Sequence, residues 1–165
     1  MRSRSSRAHR RLPARRAVSQ GDVRRFVRAL RGRRRSSALR AAVDGVVVIL
    51  TLRRHGLRPL LSHRSDLPPA EPARAVQVAE AVDAGLGILP SPSTCLRRSV
   101  TLLRELHRIG LGADLHIGVR QGPGGIEAHA WVQAAEHVLN DDPLLISTYA
   151  PLSVGQAERY LSRFA

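Results

Sequence analysis

The strongest pattern of apolar and polar positions lies in residues 95–109. Apolar side chains recur there every three or four residues while arginines occupy the other sides, which predicts an amphipathic helix with an apolar face of Leu96, Val100, Leu103 and Leu106. Ser93 or Thr94 precedes the run as a capping residue, and Gly110 ends it. Cys95 therefore falls in the first helical turn, where free backbone N–H groups and the positive end of the helix dipole stabilise a thiolate.

Two alternating segments follow this helix. Residues 113–120 and 126–133 each place apolar side chains on one face and polar side chains on the other, which is typical of half-buried strands. The glycine-rich residues 121–125 between them predict a hairpin connection, and residues 137–141 predict a third short strand. Together these segments predict a small antiparallel sheet behind the cysteine-bearing helix.

Further helices are predicted on either side of this region. Residues 21–35 are basic with a single apolar stripe, formed by Val23, Phe26, Val27 and Leu30. Residues 37–55, entered from Ser36 and Ser37, are apolar on nearly all sides in their second half, so we expect that half to be buried. Residues 71–84 predict a third helix with Gly85 at its C′ position, and Ser153 begins a last short one. The predicted fold class is α+β.

Composition adds limits to this picture. A length of 165 residues suits one domain, and only five residues are aromatic, so the core must consist of Leu, Val, Ile and Ala. A single cysteine excludes an intramolecular disulfide, and we expect a cytoplasmic protein. The longest apolar run, residues 46–50, is far shorter than the ~20 residues of a membrane span.

The net charge of +14 is confined to the N-terminal part of the chain. Residues 1–40 hold 15 arginines and one acidic residue, whereas residues 41–165 hold 12 arginines and 12 acidic residues. Residues 1–20 have few apolar side chains, and their positively charged arginines repel one another. This composition predicts a disordered basic tail. Nucleic-acid binding would therefore involve a tail rather than the fold, and we expect no nucleic-acid partner.

The chain offers the three groups of a cysteine hydrolase in sequence order. They are a thiol at Cys95, an imidazole at His129 and a carboxylate at Asp141, with Asp142 beside it. The alternative is structural, because a lone cysteine is more often a small buried hydrophobe and a lone histidine on a strand is usually structural. No cofactor or metal is expected, since there is no glycine-rich nucleotide motif and no metal-like spacing among His107, His116, His129 and His137.

Three segments resemble a known family. CLRRSVTLLRELHRIG, ADLHIGVRQGPGGIEAHAWV and VLNDDP resemble, in order and at similar spacing, the stand-alone transglutaminase-like cysteine protease of bacterial lasso peptide biosynthesis. One departure is Ile126, which stands where many relatives have phenylalanine. The resemblance implies a transglutaminase-like, papain-like core at residues 70–165, preceded by an N-terminal helical region at residues 21–69.

The resemblance also implies an activity. The family removes the leader from a ribosomally made precursor peptide by thiol chemistry, before a cyclase closes the macrolactam ring. Cys95 matches the nucleophile, His129 the base and Asp141 the third member, although the run of two aspartates leaves Asp142 open. Because the chain has no room for the leader-recognition domain that some members carry, we expect a separate leader-recognition protein and the lasso cyclase as partners. The basic residues 21–35 are a candidate docking element.

Two other functions remain open at this stage. The chain could be a non-catalytic transglutaminase-like scaffold within a peptide-modifying complex, in which case replacing Cys95 would leave product formation unchanged. It could instead be a basic nucleic-acid-binding protein, in which case binding would weaken steeply with salt. The balanced charge of residues 41–165 and the few aromatic residues argue against nucleic-acid binding.

Overall fold

The computed structural model describes residues 33–60, 66–90 and 94–161. The predicted tail at residues 1–20 and the stripe of the predicted basic helix lie outside them. In chain order the elements are α1 (Arg33–His55), a 3-10 turn (Arg58–Leu60), α2 (Pro72–Leu86), α3 (Cys95–Arg108), β1 (Asp114–Gly122), β2 (Gly125–Ala134), β3 (His137–Val138), α4 (Pro143–Ile146), β4 (Ala150–Pro151) and α5 (Val154–Leu161). Helix α3, the hairpin strands β1 and β2, and α5 are confirmed, and so is the α+β class.

Four antiparallel strands form one sheet in the order β3-β2-β1-β4. The hairpin register pairs Gly118 with His129. The third strand is shorter than predicted, because after His137–Val138 the Val132 N–H bonds the side chain of Asn140 instead of a backbone carbonyl. Strand β4 was not predicted; a two-residue strand that contains proline has no alternating pattern, and it pairs with β1 only at the sheet edge.

Helix α3 lies between α1 and α2 on one side and the sheet on the other. The predicted apolar face is buried except for the half-buried Leu96. Burial extends beyond that face, because polar side chains on the other sides of α3 are also enclosed, namely Arg97, Ser99, Thr101 and Glu105. A helix with both sides covered holds its N-terminus, and hence Cys95, in a fixed place relative to the sheet.

The prediction that the second half of α1 is buried is wrong. Val48 is fully buried, but a stripe of large apolar side chains on the opposite face is exposed, namely Leu39, Val43, Val46, Val47 and Leu50. Helices α2 and α3 cover only the face with Ala38, Ala41 and Val48, and the apolar pattern alone cannot say which face is covered. No helix in the described parts of the chain has the length and apolar character needed to cross a bilayer.

The ends of two helices also differ from the prediction. Helix α1 begins at Arg33, so Ser36 and Ser37 lie inside the helix rather than capping it. Helix α2 continues to Leu86, so Gly85 is a helical residue rather than the C′ residue. Gly85 is buried where α2 crosses α1, and a β-carbon there would collide with the backbone carbonyl of Ala38 and lie 2.9 Å from the Ala42 nitrogen.

We predict that Gly85→Ala destabilises the protein by about 1–3 kcal/mol, because backbone atoms of α1 cannot move aside for the added methyl group. Without that collision, alanine would stabilise a helix relative to glycine. Urea unfolding followed by circular dichroism measures the change. The control is Gly124→Ala, whose β-carbon would meet open space and which should change stability by less than about 0.5 kcal/mol. An equal effect of both variants would contradict the close crossing.

Candidate active site

Cys95 is the first residue of α3. Thr94 caps the helix, and its hydroxyl accepts a hydrogen bond from the Arg97 N–H at 3.2 Å. The Cys95 side chain is half-buried and is not in a disulfide. The thiol therefore lies beside backbone N–H groups of the first turn, which are oriented to stabilise a negative charge on sulfur or on a substrate oxygen.

His129 and Asp141 form a short hydrogen bond. Nε2 of His129 lies 2.6 Å from Oδ2 of Asp141, and the two side chains are only 18% and 17% exposed. Because Asp141 takes Nε2, the other ring nitrogen, Nδ1, is the one available to a thiol or a substrate. This is the arrangement in which a carboxylate fixes the orientation and tautomer of a catalytic imidazole.

The two neighbouring aspartates have different contacts. Asp142 caps α4, and its side chain accepts a hydrogen bond from the Leu144 N–H at 2.9 Å. The Asp142 N–H in turn donates to Oδ1 of Asp141 at 3.0 Å. Both carboxylate oxygens of Asp141 are thus engaged, one by His129 and one by backbone. The geometry favours Asp141 over Asp142 as the partner of the histidine.

Two aromatic side chains lie close to the His129 ring. The Trp131 ring is nearly parallel to it at 6.5 Å between centroids, and Tyr149 lies at 5.2 Å. The Arg120 guanidinium carbon lies over the Tyr149 ring, 4.6 Å from its centroid. Gly118 makes room for this group, since a β-carbon there would lie 2.9 Å from the Tyr149 side chain. The sequence analysis singled out His129 but missed Tyr149, which is distant along the chain from the motif.

One cavity of about 330 Å³ brings the three predicted residues together, since Cys95, His129 and Asp141 all line it. Its wall also includes Arg98, whose guanidinium donates to both carboxylate oxygens of Asp83 at 2.5 and 2.6 Å. This bidentate ion pair, which the sequence analysis missed, spans α2 and α3 beside the thiol. A larger and more open groove of about 690 Å³ lies along the hairpin tip, but none of the three residues lines it.

The site therefore offers a thiol, an oriented imidazole and helix N–H groups in one cleft, which is the equipment for acyl transfer. Within the described residues, no group of three His, Cys, Asp or Glu side chains is placed to hold a metal ion. The roles of the three residues remain predictions, because the geometry shows their positions and not a reaction.

The chain matches a known protein family over most of its length. A family model described as the transglutaminase-like superfamily matches residues 40–154, which include all three candidate residues and the whole sheet. Comparisons with curated proteins and with solved structures found no match.

We predict that Asp141→Asn slows iodoacetamide labelling of Cys95 at neutral pH about 10-fold, because an amide does not stabilise the imidazolium that accompanies a thiolate. Cys95 is the only cysteine, so mass spectrometry of the labelled protein reports on this thiol alone. The matched control is Asp142→Asn, which keeps a capping side chain at α4 and should react like the wild type. Slower labelling of both variants to the same extent would contradict the assignment of Asp141.

Proposed function

The chain belongs to the transglutaminase-like superfamily, and from that premise we propose that it is a cysteine peptidase that removes the leader from a ribosomally made lasso precursor peptide. The superfamily often includes cysteine peptidases. The observation that carries the proposal is the His129–Asp141 hydrogen bond in the cavity that Cys95 also lines. The likeness of the cysteine helix, the AHAWV strand and the NDDP segment to the lasso proteases supports the choice of substrate.

The proposed mechanism begins with Cys95. Its sulfur attacks the carbonyl carbon at the junction of leader and core, while Nδ1 of His129 takes the thiol proton. Negative charge develops on the carbonyl oxygen, and backbone N–H groups at the start of α3, including that of Cys95, donate to it. Asp141 holds the ring in position and stabilises the imidazolium formed at this point.

The second half of the mechanism releases both products. His129 gives its proton to the amine of the core peptide, which leaves, and the leader remains as a thioester on Cys95. His129 then takes a proton from water, the resulting oxygen attacks the thioester, and the leader departs as a carboxylic acid with the thiol restored. The free amine of the core is the group that a lasso cyclase would next use to close the macrolactam ring.

The proposed partners follow from the same function. The precursor would reach the site with a separate leader-recognition protein, and the lasso cyclase would act on the released core. The basic residues 21–35 are proposed as the docking element for the leader-recognition protein or the leader itself. Their stripe, Val23, Phe26, Val27 and Leu30, lies outside the described residues, so the proposal rests on the apolar pattern and on seven arginines in this stretch.

We predict that wild-type protein, mixed with its precursor and leader-recognition protein, releases leader and core, whereas Cys95→Ala releases neither. Removal of the nucleophile from a unit of this kind lowers the rate by roughly 10⁶-fold. Mass spectrometry of the peptide products is the measurement. Asp142→Asn serves as the matched control, because that carboxylate is next to Asp141 in the sequence and caps α4.

The two failing outcomes have different meanings. Cleavage by Cys95→Ala at the wild-type rate would remove Cys95 from the mechanism. If neither protein cleaves but both raise the yield of product when the cyclase is present, the chain is a scaffold of the modifying complex and not its peptidase.

We also predict that deletion of residues 1–32 weakens binding of the leader-recognition protein about 10-fold, through loss of the apolar stripe and its arginines. The deletion stops before Arg33 because α1 begins there and its Ala38 is buried. Pull-down with purified partner, quantified against concentration, is the measurement. Deletion of residues 1–20 alone retains the stripe and should bind like the full chain. Full-strength binding by the longer deletion would contradict the docking role.

A further inference from the structure

A chain of buried hydrogen bonds links the three elements that carry the candidate catalytic residues. The side-chain carbonyl of Asn140 accepts from the Val132 N–H at 2.8 Å, and its amide nitrogen donates to the Ser99 hydroxyl at 2.9 Å. The Ser99 hydroxyl in turn donates to the Ala130 carbonyl at 2.9 Å. Ser99 is 0% exposed and Asn140 only 6%, so these bonds form away from bulk water.

These hydrogen bonds allow each polar group only one orientation. The Val132 N–H can only donate, so the side-chain oxygen of Asn140 must face it and the amide nitrogen must face Ser99. The Ser99 hydroxyl receives one bond and gives one, which fixes its rotation. Because an unpaired polar group in such a site costs about 1–3 kcal/mol, a shift of any one member is opposed by the others.

Every residue in this chain of bonds lies near a candidate catalytic residue in the sequence. Ser99 follows Cys95 by one turn of α3, and Asn140 directly precedes Asp141. Ala130 and Val132 lie one and three residues beyond His129 on β2. A displacement of about 1 Å in groups of this kind lowers a catalysed rate roughly 100-fold, so the anchoring of these three backbones matters.

Arg98 anchors the same loop from the cavity side. Its guanidinium donates to the backbone carbonyl of Asn140 at 2.9 Å while it is held by the carboxylate of Asp83. Asn140 is therefore fixed through its side chain from one direction and through its carbonyl from another. Asp141 begins at that carbonyl, so its position relative to His129 follows from where Asn140 is held.

From this geometry we propose that Ser99 and Asn140 are positioning residues. They hold the thiol of Cys95, the ring of His129 and the carboxylate of Asp141 in the relative positions that the reaction needs. The inference rests on the proposed thiol chemistry and adds to it two buried residues that act through the three candidate catalytic residues. Neither residue was singled out by the sequence analysis. Loss of either one loosens the loop that carries Asp141 and reduces the activation of the Cys95 thiol.

The chain offers a matched control two residues further along α3. Thr101 is also 0% exposed, but its hydroxyl has no hydrogen-bond partner within the described residues. Thr101→Val removes a buried hydroxyl from the same helix without breaking the chain of bonds. Ser99→Ala removes a buried hydroxyl that belongs to it. Comparing these two variants distinguishes a positioning role of Ser99 from the general effect of changing a buried polar side chain.

The test is the rate at which iodoacetamide labels Cys95 at neutral pH, divided by the rate at alkaline pH, where every thiol is ionised. We expect Ser99→Ala and Asn140→Ala to lower this ratio about 10-fold, with the alkaline rate unchanged and Thr101→Val matching the wild type. Circular dichroism establishes that each variant is folded at the labelling temperature. If Asn140→Ala fails to fold, Ser99→Ala decides the matter by itself.

Two results would overturn the proposal. One is a wild-type ratio in Ser99→Ala, and the other is an equal fall in Ser99→Ala and Thr101→Val. Labelling needs no peptide substrate, so the outcome is independent of whether the lasso precursor is the right one. A lowered ratio in Ser99→Ala together with no precursor cleavage by the wild type would support positioning and contradict the proposed substrate.

Discussion

The short hydrogen bond between His129 and Asp141 depends on where the chain leaves the sheet after β3. That strand ends after two residues, because the Asn140 side chain takes the place of a backbone carbonyl opposite Val132. The chain then turns, so that Asp141 faces back to β2 instead of continuing along it. In the register of β2 and β3, a longer regular strand would have placed Asp141 opposite Ala130, on the other face of the sheet from His129, so the irregularity is what brings Asp141 to the histidine.

The elements that carry the site were predictable because their patterns are local. Fourteen residues of α3 and the paired strands of the hairpin have apolar spacing that repeats over their whole length. The choice of Asp141 over Asp142, by contrast, depends on which carboxylate α4 uses as its cap, and a four-residue helix leaves too little pattern to predict. The exposure of the α1 stripe and the Arg98–Asp83 pair depend on contacts between distant segments, which no local pattern encodes.

The arginines of the folded part of the chain act mainly within the structure. Arg98, Arg104 and Arg120 each form an ion pair with an acidic residue on another element, and the hydrogen bond that Arg104 donates to Asp44 raises the pKa of Arg104. Arg97 is buried, which lowers the pKa of its guanidinium through desolvation. Arginines engaged in this way present little free positive charge to a phosphate backbone. The near-neutral balance after residue 40 therefore agrees with the way these side chains are used.

The aromatic residues of this chain are few, and some of them pack against the candidate active site. Two of the five, Trp131 and Tyr149, lie against His129. Trp131 is 4% exposed, yet its indole N–H has no hydrogen-bond partner among the described residues, so packing and ring stacking hold it in place at a cost of about 1–3 kcal/mol. The side chains of His129 and Asp141 are only 18% and 17% exposed, and a hydrogen bond between groups removed from water in this way is stronger than one in bulk water. The Cys95 thiol lines the same cavity from the N-terminus of a helix. The oriented imidazole and the nucleophile are thus supplied by different elements, the sheet and the first turn of α3.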